Sequence, residues 1–352
     1  MHRFSTSLVA LAVALSLGGD LAAQATLTPR SASIRIGGRM HTQYATSSVE
    51  SYNSQFFFRR ARIEADITVN DFFEARLQPE FGGFTAELKD AYVKFNFSPA
   101  FQLTVGQFKR PFDLFELASS VDLSIIERDG RVGGVSTCAG VGSVCSYSRL
   151  TERLGFADRD IGVRVGGARG KVAYEVSMTN GAGQNVVDEN DAKSFSGRMS
   201  LKAGPDLTLG ANLALHDYVD PAKEDAHAGA WGVDAQYGTW RDGLLVQASL
   251  VGGENWKKLD TSGDASAFMA FQGAASWYAP LEGKRVVGIE PLLRVSFGDP
   301  DRDVADDGGL VFTPGLMLYI AGRNKIGFNV DVWSPQTGKT EHSLKVQSYL
   351  YF

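Results

Sequence analysis

Arg60-Ala61-Arg62-Ile63-Glu64-Ala65-Asp66-Ile67 alternates a charged side chain with an apolar one at every step. A strand points successive side chains to opposite faces, so this run has one charged face and one apolar face. Wound as a helix, the same apolar set would scatter round the cylinder. The neighbouring stretches read alike. Ile34, Ile36, Met40 and Tyr44 alternate with Arg35, Arg39, His41 and Gln43, and Phe73, Ala75, Leu77 and Phe81 with Glu74, Arg76, Gln78 and Glu80.

Working outward, the pattern predicts sixteen strands, near 33-44, 56-68, 72-81, 87-97, 101-109, 159-166, 171-179 and 195-203, then 206-216, 228-238, 243-252, 267-278, 286-297, 309-320, 324-333 and 343-352. Tight turns such as Asn70-Asp71, Ser98-Pro99-Ala100 and Gly204-Pro205 mostly alternate with long polar connections such as 180-194 and 298-308. A sheet whose apolar face meets lipid must close on itself, because an open edge leaves backbone groups unpaired at several kcal/mol each. The expected fold is therefore an all-β, sixteen-stranded antiparallel transmembrane β-barrel with short periplasmic turns and longer external loops. Tyr44, Phe72, Phe95, Phe97, Phe101, Trp231, Tyr237, Trp277 and Tyr278 lie near strand ends and are expected to form interfacial girdles.

Composition agrees. The chain of 352 residues is 44% hydrophobic with 22 Phe, which opposes disorder, and its 2 Cys oppose a disulfide-dense fold. A net charge of -5 argues against a nucleic-acid partner. Mean hydropathy is -0.11, as alternation requires, and no apolar run after the first 25 residues is long enough for a membrane helix. Arg3, the apolar run Leu8 to Leu17 and Ala23-Gln24-Ala25 have the order of a cleaved signal peptide over 1-25, leaving 26-352 as the barrel.

Leu88-Lys89-Asp90-Ala91-Tyr92-Val93, Val105-Gly106-Gln107-Phe108-Lys109-Arg110-Pro111-Phe112, Leu117-Ala118-Ser119-Ser120 and Ile126-Glu127-Arg128 resemble the phosphate-selective porin O and P family, as does Phe57-Phe58-Arg59-Arg60-Ala61-Arg62. The resemblance implies an outer-membrane porin, commonly trimeric, that passes small anions, with phosphate or polyphosphate as the implied solute. The main alternative is a weakly selective diffusion porin. A barrel enzyme or a plugged structural or adhesin barrel stands as the alternative of another class, with no recognisable nucleophile motif to favour the enzyme.

A channel needs field and width rather than bond-making groups. Arg39, Arg60, Arg62 and Arg76 are the candidate anion-attracting residues, since guanidinium groups grip oxyanions bidentately and stay charged. If Tyr44 pairs near Phe56, Arg39 falls opposite Ala61, between inward Arg60 and Arg62, with no acid at that level. The other reading is wall stitching, with Arg35 paired to Glu64 or Asp66 and Arg76 to Glu74 or Glu80. The connection 110-158 is far longer than the rest, which is unusual for a loop without a job. By analogy with porins, whose third external loop often folds back into the lumen, it is the candidate constriction. It brings Lys109, Arg110, Arg128 and Arg131, and Glu127-Arg128 is an alternative pin to the wall. Cys138 and Cys145, seven apart, are the disulfide candidate in an oxidising envelope. Terminal Phe352 on an alternating last strand resembles the signal read by the outer-membrane assembly machinery. No catalytic residue, metal site or cofactor is expected. The expected partners are small anionic solutes, outer-membrane lipid, the assembly machinery and two further copies of the chain.

Overall fold

The computed structural model describes residues 25-27, 32-222, 224-259 and 263-352. The export signal expected over 1-25 lies, but for Ala25, outside the described residues. Sixteen strands form the wall: β2 Ser33–Ser47, β3 Gln55–Thr68, β4 Phe73–Glu80, β5 Glu87–Ser98, β6 Phe101–Lys109, β7 Arg159–Arg169, β8 Val172–Thr179 and β9 Ser194–Lys202, followed by β10 Leu207–Val219, β11 Asp225–Thr239, β12 Asp242–Leu259, β13 Ala265–Pro280, β14 Gly288–Asp299, β15 Gly309–Ala321, β16 Asn324–Pro335 and β17 Glu341–Tyr351. Each pairs antiparallel with its sequence neighbours. The ring closes where β17 pairs with β2, as Val346 with Tyr44 and Tyr351 with Arg39. A three-residue strand, β1 (Ala25–Leu27), pairs with Ile34 to Ile36 of β2 beyond the end of β17.

The wall is inside-out compared with a soluble domain. Ile63, Leu77, Val105, Val176, Met199, Leu213 and Val233 are exposed on its outer face, while His41, Gln43, Arg60, Gln272, Arg294 and Asp331 are buried within. Closure pairs every strand on both sides, so lipid meets side chains rather than free N–H and C=O groups. Putting a single arginine on the lipid face at the midplane costs about 2–4 kcal/mol. That penalty holds each strand's register, because a slip of one residue would exchange the two faces.

Aromatic side chains gather at the short-turn rim, where Phe72 lies 5.1 Å from Phe97, and Phe97 lies 5.2 Å from Phe101. Tyr278 departs from the girdle expectation. Its neighbour Trp277 takes the exposed face, so alternation turns Tyr278 inward, 5.2 Å from the buried Tyr319.

The connection 110-158 contains two short helices, α1 (Leu114–Leu117) and α2 (Tyr147–Arg153). It packs on inward side chains of the wall and covers the β10–β17 half of the lumen. Phe112, Phe115, Tyr147, Leu150 and Phe156 bury against Ala214, Ala228, Ala230, Val251, Phe268 and Val311. Ile125 and Ile126 bury against Leu292, Met317, Tyr319 and Tyr349. Small wall residues leave room for the loop's rings, and each ring removed from water contributes roughly 1.5–3 kcal/mol.

Candidate functional site: the charged half of the lumen

Because the loop fills one side, open space remains along the β2–β9 wall. Three cavities of about 830, 400 and 520 Å³ lie in series. Arg59, Lys89 and Arg159 line both the external and the mid-lumen cavity, and Asp90 and Lys109 line both the mid-lumen and the periplasmic one. Ten basic and eight acidic side chains surround the mid-lumen cavity, a formal excess of two positive charges.

The strand pairing corrects the expected position of Arg39. Tyr44 does pair with Phe56, but a bulge at Arg59 shifts the register, so His41 faces Arg60 and Arg39 faces Arg62, not Ala61. The bulge also turns Arg59 inward beside Arg60. Phe57-Phe58-Arg59-Arg60 breaks the period of two, and that break was the available signal for Arg59.

The expectation of arginines with no acid at their level does not hold. Arg39 pairs with Glu64 and donates to Ser120 Oγ at 2.6 Å. Arg62 Nε donates to Glu80 at 2.9 Å, and its Nη1 to Gln78 at 3.1 Å. Arg76 reaches Glu64 at 2.8 Å and Asp66 at 3.4 Å, rather than Glu74 or Glu80. The Glu127 carboxylate takes four guanidinium N–H bonds, from Arg59 at 2.7 and 2.9 Å and from Arg60 at 3.1 and 3.3 Å. Burial works against ionisation there, yet Arg59 and Arg60 outweigh it and hold the Glu127 carboxyl well below the usual carboxylate range. The carboxylates come from neighbouring strands and from the loop, at separations that period-two reading of one strand cannot place.

All four loop candidates line the cavities, but three of them spend their polar ends on the loop and the wall. Lys109 donates to the carbonyls of Glu116 and Ala118. Arg110 is buried beside His216 and 3.8 Å from Asp160. Arg128 donates to the carbonyls of Phe115 and Ala118. Arg131 alone keeps a side chain 44% exposed, paired with Asp129 at 2.6 Å. Inward cations of the wall also grip the loop by its backbone. Arg294 donates to the carbonyls of Glu127 and Arg128 at 2.7 and 2.8 Å, and Lys325 to that of Leu123 at 2.7 Å.

Cys138 and Cys145 are joined by a disulfide near the external end of β12, where Asn255 Nδ2 donates to the Ala139 carbonyl. Phe352 exchanges backbone hydrogen bonds with Gly38 across the seam, at 2.9 and 3.2 Å. Among the described residues no group of three or more His, Cys, Asp or Glu side chains is arranged to hold a metal ion.

The sequence profile of the phosphate-selective porin O and P family matches residues 34–256, more than half of the chain. The chain belongs to that family. This porin also shares its fold with solved barrels at low identity. The outer-membrane channel DcaP of Acinetobacter baumannii superposes with a TM-score of 0.63 at 13% identity, covering 92% of this chain and 99% of that one. An anion-selective porin from Comamonas acidovorans gives 0.61 at 12% identity, covering 91% and 100%. The trimer form of OmpT from Vibrio cholerae gives 0.58 at 11% identity, covering 92% and 100%. No curated protein matches the chain. Family and fold together make it an outer-membrane porin.

Proposed function

We propose that this porin passes small anions by passive diffusion along the β2–β9 wall, phosphate among them, with residues 110-158 as the constriction. The carrying observation is the excess of basic over acidic side chains round the mid-lumen cavity. A low-dielectric wall focuses such a field and raises the local concentration of counter-ions. The family's description as phosphate-selective and the anion-selective Comamonas barrel support the same reading. In it the chain is exported on residues 1-25, delivered to the assembly machinery by Phe352, and built into a homotrimer in outer-membrane lipid. The Vibrio cholerae OmpT structure in trimer form supports the last step.

One observation favours a second reading, a weakly selective diffusion channel: Arg39, Arg60, Arg62 and Arg76 are each paired with a carboxylate. The reversal potential of the purified porin in a planar bilayer under a potassium chloride gradient separates the two. Anion passage predicts a potential on the chloride side that Arg60→Glu with Arg62→Glu moves toward the potassium side, and inhibition of chloride current by added phosphate. A potential near zero that the double variant leaves unchanged would establish the weakly selective channel and assign these arginines to the wall.

A further inference from the structure

We propose that Glu152 is a specificity-determining residue of the pore: its unpaired carboxylate, where the external and mid-lumen cavities meet, makes the channel's anion preference depend on pH. The proposal rests on the reading of these cavities as the ion path.

Glu152 lies on α2, whose other face is buried through Tyr147, Leu150 and Thr151. This side chain is left half-buried toward the open space and lines both cavities. The other seven carboxylates round the mid-lumen cavity each sit in an ion pair with a lysine or arginine. Among the described residues Glu152 has no such partner and its carboxylate takes no hydrogen bond. With no ion pair to hold it, its charge acts on whatever ion passes.

The surroundings also oppose that charge. From α1 it is faced by Glu116, from the following segment by Asp129 and Arg131, and from the end of the loop by Asp158. Its own helix adds Arg149 and Arg153. The strand wall across the cavities presents Arg59, Glu87, Lys89 and Arg159. Burial first, and then Glu116, Asp129 and Asp158, push the Glu152 carboxyl up to about 7, with Arg153 pulling the other way. Nearby like charges disfavour the charged form of a carboxyl group. Below that pH Glu152 takes up a proton, and the formal excess round the cavity rises from two positive charges to three. Above it the carboxylate returns and the field weakens. A single charge about 10 Å from a passing ion, partly screened by salt, changes the anion-to-cation permeability ratio by roughly two- to four-fold.

The test is the chloride-to-potassium permeability ratio of the full mature porin in a planar bilayer, measured between pH 5.5 and 8.5. The wild type is expected to gain anion preference by that factor as pH falls, with a midpoint near 7. Glu152→Gln is expected to stay at the acid-side value throughout, and Glu152→Asp to restore a titration. A conducting wild type whose ratio is flat over this range overturns the proposal, and this outcome needs no variant to fold. So does a Glu152→Gln channel that titrates like the wild type. Absence of current from the folded wild-type barrel overturns both this proposal and the passage reading on which it rests.

Discussion

Both Nη atoms of Arg60, on the barrel wall, donate to the carboxylate of Glu127, on the in-folded loop, at 3.1 and 3.3 Å, and Arg60 and Glu127 are both buried. Arg59, turned inward by the bulge, completes the grip from the same strand. The pair ties the loop to the β2–β9 side of the lumen, across from the apolar surface that holds its other face.

Removing the carboxylate tests what that tie does. Glu127→Ala leaves Arg60 buried without a counter-charge, a change that costs about 3–5 kcal/mol where both partners are buried. The backbone grips from Arg294 and Lys325 remain, so the barrel is expected to stay folded, with an unchanged heat-induced mobility shift on gels. The loop is expected to fluctuate, giving noisier single-channel current, and the freed guanidinium groups are expected to raise anion preference. Quiet current with unchanged selectivity would mean that the tie is redundant.

A second expectation concerns Asp113, which sits under the loop away from the water-filled side. Burial, with Asp234 adding to it, pushes its carboxyl up from 3.8 to about 6, although Phe115 N–H, Thr151 and Tyr147 all donate to it. The folded loop therefore binds this proton more tightly than the unfolded one. Loop stability falls as pH rises from about 4 to about 6 and then levels, by an amount on the order of 3 kcal/mol for a two-unit difference. Asp113→Asn keeps the acceptor oxygen and suits the positive φ of 74° at this position. It is expected to flatten the dependence and to protect residues 146-157 better at pH 7. Amide hydrogen exchange across pH 4 to 7 is the measurement, and a wild-type loop with equal protection throughout would contradict it.

The Cys138–Cys145 bridge lies off the open β2–β9 side, close to Asn255 of β12. Closing so short a loop contributes about 2.5 kcal/mol on a chain-entropy basis. Cys138→Ser with Cys145→Ser is expected to open the 138-145 segment to added protease while leaving single-channel conductance at its wild-type value. A drop in conductance would place this segment in the ion path.

How far the sequence could be read depends on the range of the interaction. Arg60 to Ile67 shows its faces without help, because alternation is local and lipid enforces it; all sixteen strands follow from the same rule. Arg39 shows where that rule stops. Its partner across the sheet changes from Ala61 to Arg62 because one extra residue at Arg59 shifts the pairing, and alternation counted along a single strand carries no record of such a bulge. Glu152 is harder still. Its sequence neighbours are Thr151 and Arg153, and nothing local separates it from a solvated helix residue.

The sequence by itself determined the antiparallel barrel, the face each strand turns to lipid, the side of the barrel where long loops lie, and the family through runs such as Val105 to Phe112. Only the tertiary structure decided which carboxylate answers each arginine, that the loop's apolar side covers β10–β17, and that among the described residues Glu152 is left without an ion-pair partner where the external and mid-lumen cavities meet. Burial in lipid acts residue by residue with a period of two, so it is written along the chain. Ion pairing depends on distances of a few ångströms between strands and a loop far apart in sequence, and those distances exist only once the ring has closed.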